Sequence, residues 1–188
     1  MDNRAKLLDC ALQLFTAQGY NAVGVQEIVA AAGVTKPTLY HYFGSKHGLL
    51  ETLLHERTAP LFQKTQNVMP YEGNLTGTLE KITRVLFQFA LDDPQIYMLM
   101  LSSNFAPPDS VPAQAARPLW KKLHNLIEDV FKQAVQNHGN MAGRHQAYTA
   151  TFLGMVNTYV GLSLNDYLAL NDELVYKAVH QFQHGIYS

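Results

Sequence analysis

Between Gln26 and Lys46 the chain gathers a dense set of hydrogen-bonding side chains. Thr35, Thr38, Tyr40 and Tyr42 supply hydroxyls, His41 an imidazole, Lys36 and Lys46 ammonium groups, and Gln26 an amide. Such groups donate to base edges and phosphate oxygens, while Pro37 or the Thr38 methyl can meet a thymine methyl. This is the chemistry of reading a DNA groove, provided that a single helix presents these groups together.

The local sequence builds such a helix. Ile28, Val29 and Ala32 form an apolar stripe that predicts a short helix over 25–32. Gly33 follows at the position where a helix ends in the left-handed conformation, and Val34 plugs the angle behind it. Thr35 is placed as an N-cap, its hydroxyl accepting from a backbone N–H of the next turn, and Pro37 falls in that first turn. At 100° per residue Leu39 and Phe43 share the buried face. Pro37, Thr38 and His41 lie opposite, flanked by Lys36, Tyr40 and Tyr42. After a break at Gly44, Ser45 caps a new helix, so Lys46 is expected at a helix N-terminus as a phosphate clamp. Two helices around a tight turn make a helix-turn-helix. The alternative, a plain helical corner with its tyrosines packed elsewhere, leaves unexplained why so many polar groups share one short face.

Residues 4 to 53 resemble the N-terminal domain of the TetR family of bacterial transcriptional regulators. The resemblance rests on Ala11-x3-Phe15, Gly19-Tyr20, Ile28-x4-Gly33-Val34-Thr35 and Thr38-Leu39-Tyr40-His41-Tyr42-Phe43-x-Ser45-Lys46. It implies an all-helical homodimer with a three-helix DNA-binding head (1–46) and a ligand-binding and dimerisation body (47–188). It also implies DNA contact from Lys36, Pro37, Thr38, Tyr40, His41, Tyr42 and Lys46, with Thr35 beside them as a further DNA-binding candidate. The stretch Asn21–Val25 lacks the Thr-Thr or Ser-Val pair common there in the family, and Gln26 stands as its replacement.

Composition agrees with a folded, modestly charged protein. Of the 188 residues 47% are hydrophobic and only 15% charged, and the formal net charge is −1. That balance excludes a blanket nucleic-acid binder, so DNA contact must rest on placed charges and neutral donors. Cys10 is the only cysteine, which excludes an intrachain disulfide and suits a reducing compartment. No apolar run reaches the length of a bilayer span and the first residues lack a signal-peptide pattern. A cytoplasmic protein without membrane contact is expected.

Beyond the head the periodicity is helical throughout, so the expected class is all-α. Helix 1 is expected over 3–18, stopped by Gly19. A long helix from Ser45 carries Leu49, Leu50, Leu53, Leu54 and Leu61, and Pro60 is expected to kink or end it. Further helices are expected from Asn74, from Pro94 behind Asp93, over 114–137, over 144–170 and from Asn171. The segment His138–Gly143 is expected to close the fourth of the body's stretches.

Residues 144–170 have two faces. Ala147, Ala150 or Thr151, Gly154, Thr158 and Gly161 form a small-residue face suited to close helix approach. Tyr148, Phe152, Met155, Tyr159 and Leu162 form a bulky one expected to point inward. In the resembled family the last two helices build the dimer, which places Thr151, Gly154, Thr158, Gly161, Val175, Val179 and Phe182 at the interface. Phe87, Met100, Trp120, Tyr148, Phe152, Met155 and Tyr159, with Met98, are the expected lining of an effector pocket. Arg84, His124 or Asn157 could orient a polar end. Such a lining suits a largely apolar small molecule.

No catalytic constellation appears. Gly19-x4-Gly24 is followed by Val25-Gln26, not by the lysine of a phosphate loop, and Lys46 stands where a nucleophile elbow needs serine. His180 and His184 have metal-ligand spacing but no nearby third ligand, so no cofactor and no metal are expected. The sequence therefore points to a ligand-responsive regulator, a repressor, binding an inverted-repeat operator in double-stranded DNA as a homodimer. The alternative is a ligand-blind scaffold whose body recruits a protein partner.

Overall fold

Phe15, Leu12, Ala11, Leu8 and Leu7 are buried along one side of α1 (Asn3–Gln18), which stops where the Gly19 N–H bonds the Phe15 carbonyl at 3.0 Å. The computed structural model describes residues 2–137 and 141–185, and all nine regular elements among them are helices. They are α1, α2 (Val25–Ala32), α3 (Lys36–Phe43), α4 (Lys46–Val68), α5 (Leu75–Asp92), α6 (Pro94–Asn104), α7 (Val111–Ala134), α8 (His145–Leu164) and α9 (Asp172–His184). No helix among the described residues is long and apolar enough to cross a membrane.

The chain divides into two compact units. The first holds residues 1–59 with 95–119, the second 60–94 with 120 onward. The first unit thus takes in α6 and the start of α7 together with the head, so the division of contacts falls beyond the expected boundary at 46.

In the first unit α1 packs on α2 and α3, with Leu7, Ile28, Leu39 and Leu49 fully buried. Two ion pairs tie α1 to α4. Arg4 meets Glu56 through both guanidinium arms, one at 3.0 Å, and Arg57 meets Asp9. In the second unit α5 packs against both α8 and α9. Phe131 of α7, Phe152 of α8 and Phe182 of α9 form an aromatic cluster with centroids 5.5–6.3 Å apart, within the range where rings attract edge to face.

Several sequence expectations are corrected. Pro60 does not end α4, which runs on to Val68. Proline removes one N–H, but Leu61 and Phe62 are buried just beyond it and packing holds the helix together. The helix expected over 114–137 spans 111–134, and it also carries an internal proline, Pro118. Its expected closing segment lies partly outside the described residues, at His138, Gly139 and Asn140. The helix expected over 144–170 ends at Leu164, and Asp166 then adopts φ 60°, which breaks the repeat.

The inward face of α8 is also rotated from the expected one. Thr149, Phe152, Leu153, Val156 and Val160 are buried, whereas Tyr148, Met155 and Tyr159 are half-buried and Leu162 is exposed. Bulk alone misled the pattern, because β-branched Val156 and Val160 fill the narrow seam instead.

Candidate DNA-binding site

Gly33 adopts φ 65° and ψ 34°, and the Val34 N–H then reaches back to the Val29 carbonyl at 2.9 Å. This left-handed stop turns the chain between α2 and α3 within three residues. Leu39 and Phe43 anchor α3 inward, and the rest of the helix faces solvent. Gln26, Thr35, Lys36, Pro37, Tyr40, His41 and Tyr42 are exposed, and Thr38 is half-buried. Tyr40 keeps 47% of its surface and Tyr42 38%, high for tyrosines in a unit with a full core. The structure thus brings the expected DNA-contacting residues onto α3 and the turn before it, except Gln26, which stands exposed at the start of α2, and Lys46.

Two local expectations change. The Thr35 hydroxyl does not cap a backbone N–H; it pairs with the Thr38 hydroxyl at 2.9 Å. That pairing fixes both threonines at the start of α3 while leaving lone pairs and one proton for a further partner.

Lys46 stands at the start of α4 as expected, but its ammonium turns inward. It donates to the Tyr20 carbonyl at 2.9 Å and the Val23 carbonyl at 2.7 Å, and lies 4.1 Å from the centroid of the Tyr20 ring. Burial lowers its pKa from the ordinary lysine value. Two of three N–H donors are therefore spent on the loop between α1 and α2, which they clamp. The capping of α4 falls to Ser45, whose Oγ accepts from the Gly48 N–H at 2.9 Å.

The residues expected around an effector separate. Phe87, Met100, Trp120 and Phe152 are buried, while Tyr148, Met155 and Tyr159 are half-buried. Tyr148 lines a cavity of about 400 Å³ in the second unit, with Phe131, Met141, Phe182, Asn74 and Thr76 around it. Its rim carries Gln183, whose Oε1 accepts from the Thr76 hydroxyl at 3.0 Å. Phe131, Met141 and Gln183 were missed by sequence reasoning, since they lie on three separate stretches that only the fold joins. Arg84 pairs with Asp172 at 2.6 Å, and His124 is exposed.

The expected interface residues separate too. Thr151, Gly154 and Thr158 are exposed on α8, and Gly161 is half-buried. Val175 and Val179 are buried within the chain, and half-buried Phe182 belongs to the aromatic cluster, so none of these three is a free contact. The exposed side of α9 carries Tyr176, Lys177 and His180 instead. His180 and His184 are exposed with rings 4.6 Å apart, and no cluster of three or more metal-ligating side chains occurs among the described residues.

Comparison with known proteins agrees with this geometry. The sequence pattern of bacterial regulatory proteins of the tetR family matches residues 7–53. The transcriptional activator FasR of Mycolicibacterium smegmatis is 30% identical over 113 residues, 60% of this chain and 52% of FasR. The transcriptional repressor KstR2 of Rhodococcus jostii is 32% identical over 85 residues, 45% of this chain and 42% of KstR2. The chain thus spans about half the length of the curated relatives it matches. FadR of Bacillus subtilis, solved in complex with stearoyl-CoA, shares the fold with a TM-score of 0.81 at 18% identity, over 97% of this chain and 99% of that one. AibR, solved with isovaleryl coenzyme A and operator DNA, does so with a TM-score of 0.72 at 22% identity, over 96% and 97%. With α2 and α3 as its helix-turn-helix, the segment 7–53 matches the tetR family of bacterial regulatory proteins.

Proposed function

We propose that this chain is a ligand-responsive repressor that binds an inverted-repeat operator as a homodimer in the cytoplasm. The observation that carries the reading is the solvent-facing row on α3, where Lys36, Pro37, Tyr40, His41 and Tyr42 stand exposed around an anchored Leu39 and Phe43. Hydroxyls and an imidazole held on a rigid helix suit direct contact with base edges and phosphates. Catalysis is no part of this reading, since the relatives are named as regulators.

Dimerisation is supported by the exposed small-residue face of α8. A Cβ added at Gly154 or Gly161 would meet nothing within 4 Å, so the chain itself leaves that face open. A two-fold pairing through it, flanked by Leu162 and Tyr176, matches the symmetry of an inverted repeat.

The effector is a largely apolar small molecule, with Tyr148 and Phe131 at its site in the second unit. The cavity there has a size within the ordinary small-molecule range. FadR and AibR, whose fold this chain shares, were solved with acyl thioesters of coenzyme A, so an acyl chain is the class to try first. Repression follows the naming of KstR2, while FasR supports activation as the second reading.

The test is selection of binding sites from random duplex DNA with purified protein, followed by addition of stearoyl-CoA or isovaleryl-CoA to the enriched probe. An enriched inverted repeat released by a thioester is the expected result. No enrichment at low salt, with or without thioester, overturns the operator reading. Enrichment without a thioester effect keeps the regulator and removes that effector class.

A further inference from the structure

Six serine and threonine side chains are buried among the described residues, and five of them behave alike. Thr58, Thr65, Thr78, Thr83 and Thr149 each donate to the backbone carbonyl four residues earlier, at 2.7–2.9 Å. The sixth, Ser103 on α6, is 1% exposed and its Oγ has no hydrogen-bond partner. A helical serine has such a carbonyl within reach, and neighbouring Ser102 uses the Leu99 carbonyl at 3.1 Å. An orphaned buried hydroxyl is unfavourable, and the Ser103 Oγ, which makes no such bond, is left open to a partner from outside the chain.

The surroundings of Ser103 offer that partner a place. Ser103 lines a cavity of about 330 Å³ in the first unit, between the end of α1 with the loop after it and the α6–α7 segment. Phe15 and Tyr20 form an aromatic wall, their ring centroids 5.1 Å apart, and Leu99, Ala106 and Pro112 close the other side. No lysine, arginine, histidine, aspartate or glutamate lines it. The cavity therefore offers no counter-charge for an ion; exposed Gln18, Asn21 and Ser102 also line it, its other walls are mostly apolar, and Ser103 is its buried, unused donor.

We propose that this cavity is a binding site for a small, uncharged, mostly apolar molecule whose carbonyl accepts a hydrogen bond from Ser103. It is distinct from the cavity beside Tyr148, which belongs to the second unit. Tyr20 gives the site a route to the head, since the residue whose ring walls the cavity is also the residue whose carbonyl Lys46 holds. An occupant pressing on Tyr20 acts on the loop that sets the start of α2. This consequence for DNA rests on the function proposed above; binding itself does not.

The test uses 4-fluoroacetophenone, an aryl ketone with both required features, titrated into the full chain without DNA and followed by fluorine NMR. Saturable binding is expected, weakened about three- to tenfold in Ser103→Ala, the range for one neutral hydrogen bond. Ser103→Leu, which fills the cavity, is expected to abolish it, and circular dichroism checks that both variants fold. No saturable binding to the wild-type chain overturns the proposal. So does equal affinity in Ser103→Ala and in folded Ser103→Leu, which assigns the ketone to another site. Because no DNA is present, neither result depends on the operator reading.

Discussion

The Lys46 ammonium donates to the Val23 carbonyl at 2.7 Å and so closes the loop that delivers the chain from α1 into α2. Lys46→Met keeps an unbranched stem beside the Tyr20 ring but removes both charge-assisted bonds to the loop. A loss of about 1–3 kcal/mol is expected, read as a lower midpoint in denaturant. An unchanged midpoint together with lost DNA binding would return Lys46 to the role of a phosphate clamp.

The Arg4–Glu56 pair gives the head a pH dependence of known sign. The hydrogen bond from Arg4 holds the Glu56 carboxyl below its usual pKa of 4.5. The pair's contribution is therefore present above that value and fades as pH falls through the lowered folded-state value. Both side chains are more than a third exposed, so the contribution is at most about 1 kcal/mol. Glu56→Gln should destabilise slightly at pH 7 and make no difference near pH 2, measured by urea melts at both.

Gly48 is required by close approach. A Cβ there would lie 2.1 Å from the Phe43 carbonyl oxygen, backbone that cannot swing aside. Gly48→Ala is expected to lose more than about 2 kcal/mol despite alanine's better helix propensity. A variant as stable as the wild type would show that the Phe43 carbonyl at the end of α3 can move aside after all.

Tyr40→Ala should weaken binding to the selected operator at least about tenfold while the elution volume of the dimer stays the same. The residue is exposed, so the fold has no need of it. Loss of the dimer, or of the thermal transition, assigns Tyr40 a structural role instead.

At Gly154 the two substitutions pull apart. Gly154→Ala meets open space within the chain and gains helix propensity of about 0.5–1 kcal/mol. Gly154→Phe leaves the chain folded but fills the face proposed for the dimer. Sedimentation should give a monomer for the phenylalanine variant; a dimer of unchanged stability moves the interface elsewhere.

The head was legible in the sequence because its signals are local. Gly19, Gly33, Gly44 and the apolar spacing around Leu39 each act within one or two turns, and the observed bounds of α1 and α2 match those expected. Lys46 escaped because its partners lie more than twenty residues back, on a loop that no local pattern points to. The body was legible as helices but not as faces. Whether Val156 or Met155 turns inward depends on which helices it meets, and Val175 reads the same whether its neighbour is α5 or a second chain. The cavity beside Tyr148 joins residues from four separate stretches, and the unpaired Ser103 differs from the buried threonines only in what surrounds it.

Lys36 is the single permanently charged side chain on α3, set among hydroxyls, an imidazole and aromatic rings. Non-specific attraction to DNA grows with the number of phosphates neutralised, and α3 brings only one permanent cation to that count. On the function proposed above, such a helix would give little hold on unrelated sequence, and residence on DNA would be decided by base contacts once the right site is met.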